Sequence, residues 1–179
     1  MEPSIRVQFP IGTQNMDKNI QKNFLYFRDL ILKYMPYCEV EHVGASSIPN
    51  IKTKGDLDIQ IRVTNEDFNK AITDCEKIFT TRYHEIWTDE FALFGDLNQI
   101  LKIDIMLTVK GSAYDNFFHI RNAMTADKKL QSRYNKLKEN YSDFKSEEYR
   151  KAKHVFFRQL ESELGLKVRP IENFPNKLN

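Results

Sequence analysis

The hydrophobic and polar positions of the chain recur with two different periods, which predicts both helices and strands in one polypeptide. Between residues 15 and 34, apolar side chains return every three or four positions, as on one face of a helix, and Pro36 ends that pattern. Residues 66–79 show the same spacing and predict a second helix. From Asp56 to Ile61, polar and apolar residues alternate, which is the period of a strand with one buried face.

The segment 83–109 predicts further β structure. Residues 83–87 form one aromatic segment and residues 91–94 a second, and a turn is expected over residues 95–98. A longer apolar strand follows over residues 100–109. Strands therefore precede and follow the second helix.

After Gly111 the pattern becomes helical and remains so. Asp127 and Ser146 are the expected N-terminal caps of the last two helices. Three helices are predicted there, over residues 114–124, 130–141 and 149–160.

The chain is expected to fold as a single α+β domain, because its 179 residues, 41% of them hydrophobic, suffice for one well-buried core. Residues 1–110 would form the α/β core, residues 111–165 a helical part and residues 166–179 a tail at the surface. The first 15 residues show no periodic pattern, and whether they form a short edge strand stays open.

Charge and cysteine content limit the expected binding partners and the expected cellular compartment. The 27 Lys and Arg residues nearly balance the 25 Asp and Glu residues, so the net charge of +2 gives no strong signal for nucleic acid or for a membrane surface. Cys38 and Cys75 are isolated, which favours a reducing compartment over a disulfide scaffold. No run is apolar and long enough to cross a bilayer, and a cytoplasmic protein is expected. The oligomeric state stays open.

A strand beginning at Val40 stops at the run Gly-Ala-Ser-Ser (44–47). A glycine followed by Ser46 and Ser47 offers backbone N–H groups and hydroxyls to an anion, so this turn is a candidate phosphate site. Lys54 in the following loop is near enough in sequence to contact a triphosphate, although lysines in exposed loops are more often simply solvated.

Three aspartates are the candidate metal ligands. Asp56 and Asp58 fall on one face of the alternating strand, and two neighbouring carboxylates repel each other unless a cation lies between them. Hard ions such as Mg²⁺ prefer such oxygen ligands. Asp104 is the sole acid in the run 100–109, which favours its burial with a partner, whereas an edge strand would turn it to solvent.

The combined pattern resembles a known family. A glycine-serine turn, a short loop, Asp-x-Asp on a strand and a third Asp on a later strand resemble the nucleotidyltransferase superfamily related to DNA polymerase β. Within it, His-Val-Gly-Ala-Ser-Ser-Ile-Pro (42–49) followed by Thr-Lys-Gly-Asp-Leu-Asp-Ile-Gln (53–60) resembles the GrpB family, and the similarity extends over about residues 38–160. A nucleotidyltransferase-like fold is what this resemblance implies.

The resemblance also implies a chemistry. Asp56 and Asp58 would hold two Mg²⁺ or Mn²⁺ ions, and Asp104 would complete the shell of one ion and stand near the acceptor hydroxyl. The turn at Gly44 and Ser46 would hold the β- and γ-phosphates of an NTP. The chain departs from the commoner glycine-serine pair at Ala45, so Ser46 or Ser47 would have to supply the missing hydroxyl.

Three further residues have two interpretations each. His42 precedes the turn, where it would orient a phosphate or a carboxylate, or make a structural hydrogen bond. The resemblance implies that a basic residue of the helical part, Arg121 or Lys153, faces the cleft. Cations at the edge of an apolar helix face explain both equally well.

Three hypotheses for function follow. The first is a metal-dependent nucleotidyltransferase that acts on an unknown hydroxyl acceptor. The second is a non-catalytic nucleotide-binding or interaction module on the same fold, since fold similarity does not establish activity. The third is a phosphohydrolase in which the same carboxylates activate water.

Overall fold

The computed structural model describes residues 14–95, 101–141 and 147–169. The predicted N-terminal edge strand, the turn that follows Gly95, the cap at Ser146 and the end of the tail lie outside these residues. None of the described helices is apolar over a length that would cross a bilayer.

Five strands form one mixed sheet with the order β1-β2-β5-β4-β3. The central strands β2 and β5 run parallel, and every other neighbouring pair is antiparallel. The strands are β1 Glu39–Val43, β2 Leu57–Val63, β3 Thr81–Arg82, β4 Phe91–Gly95 and β5 Ile103–Val109.

The two central strands bury opposite sets of side chains on the two faces of the sheet. On one face, the odd-numbered residues of β2 and β5 join a large apolar core with side chains such as Phe27 and Ala71. This core explains the amphipathic pattern of the two helices it contains. Those helices are α1 Gln14–Tyr34 and α2 Phe68–Ile78.

The C-terminal helices build a second apolar cluster, which also includes Ile48 and Ile51 from the loop before β2. Asp127 accepts a hydrogen bond from the backbone N–H of Lys129 at 2.7 Å and caps α4, as its place in the sequence predicts. These helices are α3 Asn116–Ala126, α4 Lys128–Glu139 and α5 Glu147–Glu163. The expected α+β architecture with a helical C-terminal segment is confirmed, and its sheet is mixed.

One local expectation and one alternative are wrong. The segment 83–87 is not a strand, because His84–Ile86 forms a single 3₁₀ turn. Tyr83 and Ile86 are three residues apart, a helical spacing that brings both side chains to the same apolar cluster. The edge position considered for Asp104 is also wrong, since β5 lies between β2 and β4 and Asp104 is only 9% exposed.

A buried charge network links the sheet to the start of the helical part. Arg62 on β2 donates to Asp115 at 2.6 Å and to Glu39 at 2.6 Å, and its guanidinium lies 4.1 Å from the ring centre of Phe118. Burial alone would raise the pKa of Asp115, but hydrogen bonds from Arg62 and from the Gly111 N–H hold it below its usual range. Arg62 and Asp115 thus form a buried ion pair with two hydrogen bonds, which Glu39 extends towards the surface.

Replacing Asp115 with Asn should lower the free energy of unfolding by about 3 kcal/mol, because Arg62 would keep a buried charge that Glu39 alone compensates. Urea denaturation measures this loss. The matched control is Glu163→Gln, which breaks the exposed pair with Arg133 and should leave stability nearly unchanged. Equal losses in the two variants would contradict the role given to the buried network.

Candidate functional site

The parallel pairing of β2 with β5 places Asp58 directly beside Asp104. Their neighbours Leu57 and Ile59 belong to the core on the other face, so alternation directs both aspartates to the face opposite α1 and α2. Asp56 immediately precedes β2 and is close enough for its charge to act on Asp58. The structure therefore pairs Asp58 with Asp104 and places Asp56, the third aspartate that the sequence singles out, just before β2 and near Asp58.

Burial, together with the crowding of negative charge, raises the proton affinity of Asp58 and Asp104. Burial raises the pKa of Asp58 to about 7, and the carboxylates of Asp104 and Asp56 add to the shift. Burial also raises the pKa of Asp104, although the ammonium of Lys102, 3.0 Å from Oδ2, opposes the shift. Near neutral pH, Asp58 is only partly ionised, and a nearby cation would favour its ionised form.

The turn after β1 closes tightly on Asp58. Gly44 has φ 73°, a left-handed conformation, and a Cβ built there would lie 1.9 Å from Oδ2 of Asp58. Any other residue would therefore clash with the carboxylate as well as strain the backbone. Ala45–Ser47 then forms one 3₁₀ turn. The glycine is required by contact with the aspartate, whatever the turn binds.

The hydroxyls of the turn make bonds inside the protein. Ser46 Oγ donates to the carbonyl of Asp56 at 2.7 Å, and Ser47 Oγ donates to the carbonyl of Gly44 at 2.7 Å. His42 Nε2 lies 3.1 Å from Ser46 Oγ, and the His42 ring stacks on Phe24 with 5.1 Å between ring centres. Burial and the nearby Arg121 lower the pKa of His42 to about 4, so the imidazole is neutral at pH 7.

Arg121 and Lys153, the two proposed cleft cations, differ in their contacts. Arg121 pairs with Glu41 at 2.6 Å and donates to the His42 carbonyl at 3.1 Å, so its described hydrogen bonds tie α3 to β1. Lys153 on α5 is exposed, yet surrounding protein lowers its pKa and the charge of Asp58 opposes that shift. Of the two, Lys153 is the one coupled to the aspartates.

Lys138 on α4 is a residue of this region that the sequence analysis missed. It is only 3% exposed, its ammonium donates to the carbonyl of Lys52, and it lies 4.5 Å from the ring centre of Tyr134. Burial, together with the charges of Lys153 and Lys54, lowers its pKa to about 7, while Asp58 acts in the opposite direction. Its position four residues after Tyr134, on the apolar side of the helix, is the sequence signal that was available.

Helix α4 also fixes the loop that joins the turn to β2. Asn135 donates to the carbonyl of Asn50 at 2.7 Å and accepts from the backbone N–H of Lys52 at 2.9 Å. Lys52 itself pairs with Glu139 at 2.7 Å. The loop that carries Lys54 therefore has its backbone held by side chains of the helical part.

The donor atoms at the site fit Mg²⁺ or Mn²⁺ only in part. The paired carboxylates of Asp58 and Asp104 are the oxygen ligands these ions prefer, and burial, with the neighbouring carboxylates adding to the shift, raises the pKa of Asp58. Within residues 17–95, 101–141 and 147–169, however, no three His, Cys, Asp or Glu side chains converge as a ready-made metal cluster. Lys102 also occupies one oxygen of Asp104.

The sheet, the paired aspartates and the glycine turn define a nucleotidyltransferase-like fold. The chain aligns with a structure of Cid1, described as an RNA terminal uridylyl transferase, at a TM-score of 0.51 and 12% identity, over 70% of this chain and 40% of that one. A second Cid1 structure, with the product ApU, aligns at 0.50 and 10% identity, covering 70% of this chain and 39% of the other. At such identities the likeness shows the fold alone.

Two closer likenesses concern the family. The GrpB protein of Enterococcus faecalis has a crystal structure that aligns at a TM-score of 0.59 and 19% identity, over 84% of this chain and 93% of that one. A UPF0157 protein of Vibrio cholerae is 28% identical over 131 residues, which is 73% of this chain and 69% of the relative. The GrpB protein family model matches residues 10–163. The chain belongs to the GrpB family.

The raised pKa of Asp58 predicts how stability depends on pH. Between the ordinary value of 3.8 and about 7, the folded protein retains a proton that the unfolded chain has lost, so stability falls as pH rises through this interval. Without divalent ions, Asp58→Asn should be more stable than wild type at pH 8 by on the order of 2 kcal/mol, and the difference should shrink towards pH 4.

Urea denaturation at several pH values measures the difference, with Asp89→Asn as the control because Asp89 is exposed. If Asp58→Asn were less stable than wild type at pH 8, the ionised Asp58 would not destabilise the folded protein as predicted.

Proposed function

We propose that this GrpB-family protein is a metal-dependent nucleotidyltransferase, which moves a nucleoside monophosphate from an NTP to a hydroxyl of an acceptor. The observation that carries the proposal is the side-by-side placement of Asp58 and Asp104 next to the turn at Gly44. Clustered carboxylates and nearby lysines are together what a triphosphate and its metal ions require.

Asp56 and Asp58 would hold Mg²⁺ or Mn²⁺, with two ions expected, and Asp104 would share one of them. When bound, such ions neutralise charge on the phosphates and favour deprotonation of an attacking hydroxyl. Burial raises the pKa of Asp104 in the metal-free protein, and its carboxylate would accept the proton from the acceptor. The acceptor oxygen then bonds to the α-phosphorus, and the bond to pyrophosphate breaks.

The cations of the helical part would complement the phosphates. Lys153 and Lys138 act electrostatically on Asp58, and Lys54 acts on both lysines, so the positive charges lie around the aspartates. Arriving triphosphate would relieve the mutual repulsion of these lysines and raise their proton affinity. Positive charge concentrated near the site also favours an anionic substrate over a neutral one.

One observation favours a second candidate, a module that binds nucleotide without turnover. The ion pair between Lys102 and Asp104 supplies internally the positive charge that a metal ion would otherwise provide. In that case a nucleotide would bind without giving pyrophosphate. Release of inorganic phosphate instead would indicate the phosphohydrolase.

Thermal melting against a panel of NTPs, with Mg²⁺, Mn²⁺ or EDTA, tests the proposal without a known acceptor. A ligand of the native state raises the melting temperature, and we expect an increase that needs both metal and triphosphate. Asp58→Asn should abolish this increase while remaining folded, and Asp89→Asn should retain it. A full increase in Asp58→Asn would rule out its proposed role. No increase in wild type with any NTP would contradict nucleotide binding altogether.

Lys153→Ala should weaken the binding of the metal–NTP complex about tenfold, because it removes a charge near the phosphates. Lys151→Ala is the matched control on the same helix, since Lys151 is exposed and pairs with Glu147. Isothermal titration gives both dissociation constants. Similar affinities in the two variants would show that Lys153 is an ordinary surface cation.

A further inference from the structure

The two serines of the turn have no hydroxyl hydrogen left for a ligand in this conformation. A hydroxyl carries one hydrogen, and a carbonyl oxygen can only accept. Ser46 therefore donates its only hydroxyl hydrogen to the carbonyl of Asp56, and Ser47 donates its own to the carbonyl of Gly44. A phosphate that took either hydrogen would have to break a 2.7 Å bond inside the protein.

The use of the Ser46 hydrogen also determines which ring nitrogen of His42 carries the proton. Because the hydrogen of Ser46 is used, the contact of 3.1 Å requires His42 Nε2 to be the donor and Ser46 Oγ the acceptor. The ring is neutral at pH 7, so its one proton lies on Nε2 and Nδ1 carries a lone pair. Stacking on Phe24 holds the ring, and strand pairing with Ile59 fixes the backbone that carries it.

The chain of bonds from His42 through Ser46 ends on a peptide group that is held from both sides. Ser46 donates to the carbonyl of Asp56, while the N–H of Leu57 in the same peptide unit donates to the carbonyl of Lys102 at 2.9 Å. That unit joins Asp56 to β2, one residue before Asp58. Its orientation sets the backbone at Asp56 relative to β2, the strand that carries Asp58.

We propose that His42 is a positioning residue, which acts through Ser46 on the carbonyl of Asp56 and thereby orients the aspartates of the site. Ser46 and Ser47 shape the turn and do not donate to phosphate. The consequence for ligand binding rests on the proposed function, but the relay of hydrogen bonds does not.

The relay is tested first in the ligand-free protein, by ¹⁵N spectra of labelled histidine side chains at pH 7.5. The signals of His42 are assigned with His42→Phe. Wild type should show the proton on Nε2, and Ser46→Ala should release the ring to a mixture of both neutral forms. A proton on Nδ1 in wild type, or a spectrum unchanged by Ser46→Ala, would overturn the proposal.

The positioning role is tested by isothermal titration with Mg²⁺ and the NTP that gives the largest melting shift. His42→Phe keeps a ring for Phe24 but has no donor, and should weaken binding about fivefold to tenfold. Ser46→Ala should weaken it equally, and the double variant should be no worse than either, because both break one chain of bonds. His42→Gln retains a side-chain N–H and should bind within about twofold of wild type.

Other outcomes separate the two proposals. A large loss in Ser46→Ala with none in His42→Phe would mean that the Ser46 hydroxyl contacts the ligand, which overturns the positioning role. If wild type binds no NTP, the proposed function fails and the positioning of a nucleotide site fails with it, while the spectra still decide the relay. Unfolding curves of all variants show whether each one is folded, and His42→Gln keeps the test open if His42→Phe is not.

Discussion

The parallel pairing of β2 with β5 is the constraint on which the rest of the site depends. It fixes two carboxylates side by side on one face of the sheet, where burial and mutual repulsion make ionisation unfavourable. The opposite face supplies the compensating stability, because every odd-numbered residue of both strands is buried against α1 and α2. The well-packed face of the sheet thus offsets the unfavourable burial of two aspartates on the other face. Such compensation is common at functional sites.

The surroundings of the aspartates follow from that charge. Lys102 neutralises part of it from the residue before β5, Lys153 acts on Asp58 from α5, and Lys138 acts from α4. These cations come from separate elements, so the site forms only when the sheet and the helical part are packed together. The bonds from Asn135 to the loop before β2 make the same connection through neutral groups.

The sequence could predict the features that neighbouring residues determine, but not the contacts between residues far apart in the chain. Periodicity found the helices and the strands that carry Asp58 and Asp104, because the burial of one face leaves its mark on neighbouring residues. It failed at residues 83–87, where aromatic composition suggested a strand and the chain makes a 3₁₀ turn. The role of Asn135 was not predictable, since its partners are more than eighty residues away in sequence.

Ala45 illustrates why residue type alone gives an ambiguous view of the turn. Compared with a glycine-serine pair, Ala45 lacks a hydroxyl, which by sequence weakens the case for a phosphate site. In the fold its methyl group packs against the apolar cluster of the C-terminal helices, while the hydroxyls of Ser46 and Ser47 bond to backbone carbonyls. A serine hydroxyl at position 45 would meet that apolar cluster, so the alanine suits the packing of the helical part on the turn. If the turn's hydroxyls serve its shape, the missing one removes little from the site.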